Sequence, residues 1–366
     1  MTLEEKKKKL GLLSKSLEKK YSSKVIVKGS EIEPVEYYST GIPSIDTILG
    51  GGWAKKRIGS VYGEFSSGKT THLLQTIAYN QKIDESFMAL YVDQENALDV
   101  KYCEKLGIDM DRFQIIESDK AEKNLDAVRA ILEEGIYNMV VIDSSNALVP
   151  STELDKDVSS TASIGTVAKL LSVFTRMIVG ILNKSESKTS FIFIEQTRDK
   201  VGAMPSVGGA TPKTIGAGQA VGFYASQRLE FKKGKPITEG DETIGNTTKA
   251  KCVKNKVGGR PFAKVEVPMV YGKGFDVDMD NQMFIINSGI VERINNVKWS
   301  YTTNNGEVIE IKGQKNIIPT LKEKGLFDEA FENAKQKVFA NTDTKSEYEG
   351  IDLTKEENDE IPDDNE

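Results

Sequence analysis

An α/β domain built on a mostly parallel sheet flanked by helices is the fold the sequence predicts, and three observations predict it. Compact apolar runs that each end in a polar residue, IGSVYG (58–63), FMALYVDQE (87–95), MVVIDSS (139–145) and TSFIFIEQ (189–196), read as buried strands. Helix-period segments such as TTHLLQTIAYNQK and AVRAILEEG separate them, the alternation a parallel sheet requires. The first strand runs directly into GEFSSGKT (63–70), where two glycines bracket four residues ahead of a lysine and a threonine.

Taken in order, residues 3–21 place Leu3, Leu10, Leu13, Leu17 and Tyr21 on a lysine-rich background, a narrow apolar stripe on a helix. KVIVKGS follows as a short β-type run. A helix and strand this small cannot bury the stripe, so the segment 1–36 folds back or docks on another subunit. The α/β core spans 37–277. Within it, residues 201–222 are rich in glycine and carry two prolines, too many breakers for a regular element. Loops beyond ~12–15 residues are usually functional or disordered. Residues 278–340 read as a small α/β domain ending in the amphipathic helix LFDEAFENAKQKVF. Residues 341–366 are acidic, polar and poor in aliphatics, a disordered tail.

The 366 residues are 38% hydrophobic and 28% charged, the composition of a soluble globular chain. No apolar run approaches the ~20 residues of a membrane span, and no apolar segment with a cleavage site follows the N-terminal lysines. Two cysteines, Cys103 and Cys252, make no disulfide framework and fit a reducing cytoplasm. A single histidine, His72, argues against a histidine-based metal site or triad. The net charge of −6 conceals an asymmetry: the tail holds eleven Asp/Glu and two Lys, leaving the body at about +3. A mildly basic body permits nucleic-acid binding, while a tail that only aids solubility is the alternative.

GEFSSGKT fits the phosphate-binding loop G-x-x-x-x-G-K-[ST]. Gly63 and Gly68 let backbone N–H groups turn toward phosphates, with Glu64, Ser66 and Ser67 between them. Lys69 supplies a point charge, Thr70 a hard oxygen for Mg²⁺, and Thr71 continues into the helix. Asp143, at the end of MVVID, stands where a carboxylate would hold the hydrated metal. Gly63, Glu95, Asp143 and Gln196 all end strands, so the sheet would deliver them to one edge. By position, Glu95 and Asp93 both qualify to orient a water, and a solvated strand end is the bland reading of either.

STGIPSIDTILGGGW (39–53), GEFSSGKTT, VDQENALD (92–99), VVIDSSNAL (140–148), FIEQTRDKVG (193–202), GFYASQRLEF (222–231) and VKNKVGGRPF (253–262), then YGKGFD (271–276), occur in the order seen in the RecA family. The chain resembles that family over roughly residues 1–340. The resemblance implies a P-loop ATPase core using ATP and Mg²⁺, with Thr70 and Asp143 toward the metal. It implies that Glu95 activates water and that Asp99 and Tyr102 contact adenine. Ser144 follows the metal-holding aspartate, and Gln196 senses the γ-phosphate. Lys254 and Lys256 match lysines that reach a neighbouring subunit's nucleotide, although a solvent-facing basic strand edge would carry the same pair.

The resemblance also implies a helical filament on single-stranded DNA, homologous pairing with double-stranded DNA, strand exchange and DNA-stimulated hydrolysis. Single-strand-binding and loader proteins are further partners, with no membrane. Two loops would hold DNA, near 155–164 and 198–221. Lys169, Arg176, Arg198, Lys200 and Lys213 are the expected phosphate partners, and Gly208, Gly209, Gly216 and Gly218 permit close backbone approach. The second loop is longer than in the family and lacks an aromatic, so Met204, Val207 and Ile215 are its candidate wedges between bases, with Ile164 the candidate in the first loop. A hexameric DNA motor, a nucleotide-gated regulator without strand exchange, and a non-enzymatic DNA-coating protein are the competing readings.

Overall fold

The structure, a computed structural model, describes residues 1–22, 24–117, 120–154, 165–184, 186, 188–199, 213–215 and 220–343. It divides into two units, Met1–Glu36 and Tyr37–Glu366.

The first unit is the predicted helix, Leu3–Tyr21. A capping box starts it: Glu5 N–H donates to Thr2 Oγ1 at 3.3 Å, and Thr2 N–H to the Glu5 carboxylate at 2.8 Å. Acidic Glu4 and Glu5 in the first turn and Lys19 and Lys20 in the last complement the helix dipole. Leu3, Leu10 and Leu13 remain at least half exposed. The strand expected over KVIVKGS is not formed: residues 24–28 carry no ladder and run into a 3₁₀ turn, Gly29–Glu31. Side-chain propensity marks a strand, but its N–H and C=O groups need a neighbouring edge, and the described residues of this unit offer none.

In the second unit the central sheet runs in the order Gly274–Phe275, Lys264–Val270, Glu242–Asn255, Gln227–Glu239, Ile58–Gly63, Ser190–Asp199, Met139–Asp143, Ala89–Asp93 and Phe113–Ile116. The six strands from Gln227–Glu239 onward are parallel; the rest extend the sheet antiparallel. The four strands anticipated from sequence are four consecutive neighbours. Gly63 pairs with Gln196, and Asp93 with Asp143.

Each sheet face has its own core. Ile45, Trp53, Leu73, Ile77, Tyr91 and Phe231 gather on the face covered by the helices Pro43–Leu49 and Lys69–Ile83. Leu125, Val140, Phe174, Ile178, Phe191 and Phe193 gather under the helices Ala121–Glu134 and Thr166–Lys184. Full burial of such side chains contributes roughly 1.5–3 kcal/mol each. The helix Thr166–Lys184 is long and apolar enough, by length and composition, to cross a membrane, more than the sequence reading allowed. Here it lies on the sheet with Leu171, Phe174, Ile178 and Leu182 inward.

His72 is a core residue. It accepts from Trp53 Nε1–H at 3.2 Å, and burial pushes its pKa down to about 3, so the imidazole is neutral. The C-terminal part of this unit pairs Val291–Arg293, Lys298–Thr302 and Val308–Lys312 in an antiparallel sheet. Trp299, Tyr301, Ile309 and Leu321 form its core with helices Val277–Ser288 and Phe327–Asp343. Asp280, fully buried, accepts from Ser44 N–H at 3.0 Å and so ties this part to the start of Pro43–Leu49. The last helix runs to Asp343, three residues into the predicted tail; 344–366 lie outside the described residues.

Candidate nucleotide site and its neighbours

The loop Gly63–Thr70 joins the strand Ile58–Gly63 to the helix Lys69–Ile83. Its two glycines are required by space. A Cβ at Gly63 would stand 2.0 Å from the Phe231 carbonyl oxygen, and one at Gly68 2.9 Å from the Phe275 ring. Gly68 also has φ +90°, and no side chain caps the helix it precedes, which leaves the N–H groups of that first turn for an anion. Ser67 Oγ–H donates to Glu64 O at 2.8 Å and holds the loop closed. Lys69 is buried; its Nζ donates to Gly63 O at 3.2 Å and Glu64 O at 2.6 Å. Burial lowers its pKa, against the opposing pull of Asp143, Glu95 and Glu64.

Asp143 lies within reach of the loop. Its Oδ2 accepts from Thr70 Oγ1–H at 2.7 Å and from the Tyr91 phenol at 2.5 Å. Burial raises the Asp143 pKa while these two donors hold it down. The donor set suits Mg²⁺, which takes hard oxygens and keeps much of its water, binding through one or two protein groups plus substrate phosphates. Among the described residues no cluster of three His, Cys, Asp or Glu could hold a metal, so any such ion would rest on this small set. Tyr91 was missed from sequence, where it reads as one more apolar strand position.

Asp93 and Glu95 differ in their partners. Asp93 is buried and accepts from the backbone N–H groups of Glu95 and Leu98, at 3.1 and 3.0 Å, so it shapes the turn. Glu95 is exposed, and its Oε1 accepts from Ser144 Oγ–H at 2.6 Å and from Gln196 Nε2–H. Asn146 Nδ2–H donates to Gln196 O at 2.9 Å, so three strand ends meet at Glu95 and Gln196. Asp99 caps the helix Val100–Lys105, accepting from Lys101 and Tyr102 N–H. The Tyr102 hydroxyl stands 3.2 Å from Thr71 Oγ1. Glu95, Asp99 and Tyr102 line one cavity with Thr70, Tyr91 and Asp143.

Lys254 and Lys256 lie elsewhere. Lys254 pairs with Arg228, which is level with Ser60, and Lys256 N–H donates to Ser226 O, level with the start of the strand Ile58–Gly63. They therefore sit toward the amino-terminal edge of the parallel strands, away from their own phosphate loop. Lys254 Nζ donates to Gly222 O and Phe223 O at 2.7 and 3.0 Å.

Lys169 and Arg176 share the exposed stripe of Thr166–Lys184 with Val173 and Met177. The glycine-rich segment is not wholly irregular, contrary to the reading of its breakers. Lys213–Ile215 pairs antiparallel with Thr197–Asp199, and Ala220–Tyr224 is a short helix, since a hairpin stem needs only a few paired residues between breakers. Arg198 and Lys213 are thus strand positions facing Thr214 and Asp199 in register. Ile164, Lys200, Met204, Val207, Gly208, Gly209, Gly216 and Gly218, with the first loop 155–164, lie outside the described residues. A further cationic surface went unread: Lys232, Lys249, Lys251 and Lys264 line one groove across three neighbouring strands with Glu230 and Glu266.

The family model for the RecA N-terminal domain matches residues 8–276. Protein RecA of Thermotoga maritima is 36% identical over 327 residues, covering 87% of this chain and 89% of its own. Protein RecA of Campylobacter fetus is 40% identical over 272 residues, 74% of this chain and 76% of its own. That of Chlorobium limicola is 38% identical over 292 residues, 79% and 81%.

Proposed function

The chain belongs to the RecA family, and from that premise we propose how its own residues perform the work of a recombinase. It is a DNA-dependent ATPase that drives pairing and strand exchange between homologous DNAs. The triphosphate of ATP lies along Gly63–Thr71, which the uncapped helix start and the inward Lys69 support. Mg²⁺ bound with it would rest on Thr70 and Asp143 and would neutralise charge on the phosphoryl group being transferred. Asp99 and Tyr102 take the adenine.

Glu95 accepts the proton of the attacking water as the bond to the γ-phosphoryl group forms, and ADP and phosphate leave. The observation that carries this reading is the Gln196–Glu95 hydrogen bond. A glutamine that holds the base and begins the segment leading to the DNA loop can report on both. When Gln196 turns toward a γ-phosphate it frees Glu95 Oε1 for water, and the ladder Thr197–Asp199 shifts with it. Linkage then requires ATP to tighten DNA binding by the factor that DNA tightens ATP binding.

Lys254 and Lys256 complete the next subunit's site. Their place at the far edge of the sheet supports action in trans, where such cations are worth about 10³–10⁵ in rate. Head-to-tail contacts of this kind generate an open helical filament, and the exposed leucine stripe of Leu3–Tyr21 docks on the adjacent subunit within it. Lys169, Arg176, Arg198, Lys200 and Lys213 hold strand phosphates, with the glycines of 198–221 allowing close approach; Ile164, Met204, Val207 and Ile215 are the wedges. The divisions at 36, 277 and 340 separate polymerising segment, ATPase core, small C-terminal domain and acidic tail. The protein acts in the cytoplasm with single-strand-binding and loader proteins. Strand exchange between homologous DNAs, run with intact protein and with Glu95→Gln, tests the assignment. The variant should bind single strands with ATP yet turn over at least a hundredfold more slowly; wild-type turnover would remove Glu95 from its role.

A further inference from the structure

A buried ion pair that this mechanism does not use joins Glu195 to Arg228. Glu195 precedes Gln196 on the strand Ser190–Asp199, and its side chain is wholly buried; that of Arg228 is 15% exposed. Arg228 Nη2–H donates to Glu195 Oε1 at 3.1 Å and Nε–H to Ser60 Oγ at 3.0 Å. Its guanidinium carbon stands 4.8 Å from the centroid of the Tyr62 ring. Tyr62 is level with Glu195 on one neighbouring strand, and Ser60 is level with Arg228 on the other. The pair therefore reaches across the strand that enters the phosphate loop.

On its other side the guanidinium meets the short helix Ala220–Tyr224 at Gly222. A Cβ there would stand 2.5 Å from Arg228 Nη1. The carbonyls of Gly222 and Phe223 are the ones that seat Lys254 Nζ, and Lys254 is also the ladder partner of Arg228. One arginine thus touches the strand of Gln196, the strand of the phosphate loop and the short helix that seats Lys254. For stability alone such a pair is a poor device, because desolvation of both charges can exceed their attraction and apolar residues of equal volume often serve as well. What it adds is a fixed distance between the groups at its two ends.

We propose that Glu195 and Arg228 are a positioning pair that couples Gln196, at the subunit's own nucleotide, to Lys254, which the same subunit presents to the next nucleotide. This rests on the trans reading of Lys254 above. A displacement of the strand at Gln196 carries the Glu195 carboxylate with it. The planar guanidinium passes that displacement to Gly222 and so to the seat of Lys254. Successive sites along the polymer then hydrolyse in a coupled order.

The test uses full-length chains in mixtures. Lys69→Ala chains have no working site of their own but still present Lys254 to a wild-type neighbour. The double change Glu195→Met with Arg228→Met is added on that background, leaving no lone buried charge; an unchanged melting temperature shows that it folds. The expected result is that wild-type chains mixed with these hydrolyse ATP on single-stranded DNA about tenfold more slowly than when mixed with plain Lys69→Ala chains, with KM for ATP changed less than twofold. A purely structural role in the variant's own site cannot produce that, since that site is already dead. Equal rates in the two mixtures overturn the pair's role. Lys254→Ala on the Lys69→Ala background must slow the same mixture; if it does not, the trans reading fails, and the coupling with it.

Discussion

The Tyr91 phenol donates to Asp143 Oδ2 at 2.5 Å, on the same oxygen that accepts from Thr70 at 2.7 Å. Two hydroxyls thus fix the rotation of one carboxylate, leaving Oδ1 free of both. Tyr91→Phe keeps the ring, which packs in the core beside Phe113, and removes only the donor. Groups that orient a metal-holding residue typically contribute 10–100-fold to metal affinity or activity. The variant should therefore need roughly tenfold more Mg²⁺ for half-maximal ATP hydrolysis at nearly unchanged stability. A magnesium titration identical to that of the wild type would show that the phenol is only core packing.

Lys254 and Lys256 sit at the sheet edge remote from their own phosphate loop, so hydrolysis should depend on assembly. Lys254→Ala should lose on the order of 10³-fold in DNA-stimulated rate while still binding nucleotide at its intact loop. Mixing it with Lys69→Ala should restore part of the activity, because each chain supplies what the other lacks. The specific rate of the wild type should likewise rise with protein concentration. A Lys254→Ala protein that no mixture rescues argues for a role within the chain.

The parts of the site that were legible in the sequence are those that local chemistry dictates. Gly63–Thr70 reads as a phosphate loop because that spacing of glycines and lysine serves few other ends. Asp143 and Glu95 were readable because strand ends gather at one edge of a parallel sheet. What could not be read depends on lateral register. Tyr91 meets Asp143 only because Ala89–Asp93 lies beside Met139–Asp143, and Glu195 meets Arg228 across 33 residues and an intervening strand. The false strand at 24–28 and the unforeseen ladder at Lys213–Ile215 share one cause: a strand is a property of a pair, and a single segment carries only half of it.

Two buried groups pull the pH dependence of stability in opposite directions. His72 has its pKa pushed down to about 3 from 6.5, so the unfolded chain takes the proton first. Its contribution is complete above pH 6.5 and is lost as the pH falls toward 3. Burial pushes Asp46 up to about 6 from 3.8, against hydrogen bonds from Ser39 and Thr40, so the folded chain holds that proton. Its contribution is complete below pH 3.8 and is lost as the pH rises through 6. Between pH 4 and 6 the two nearly offset. Asp46→Asn should expose the histidine slope, its melting temperature falling by on the order of 5 °C more than that of the wild type over that interval. His72→Gln should reverse the trend. Identical slopes in all three proteins would mean that neither group titrates as its surroundings dictate.

The acidic tail gives the last test, because it is the reason a chain of net charge −6 has a body near +3. A polyanion carried on the same chain would compete with DNA for lysines that face solvent, as Lys232, Lys249 and Lys264 do. Truncation after Asp343 spares the last helix and removes most of the tail's carboxylates. Binding of duplex DNA should then strengthen. The gain should be largest at low salt, since screening weakens the tail's competition as ionic strength rises. The plot of log affinity against log salt should steepen by about 0.9 for each phosphate contact the tail had blocked. Lys249→Ala in the truncated protein should take back about one such contact, uniformly across DNA sequences, because a phosphate carries no sequence. If truncation leaves both the affinity and the slope unchanged, the tail serves solubility and the lysine groove is an ordinary solvated face.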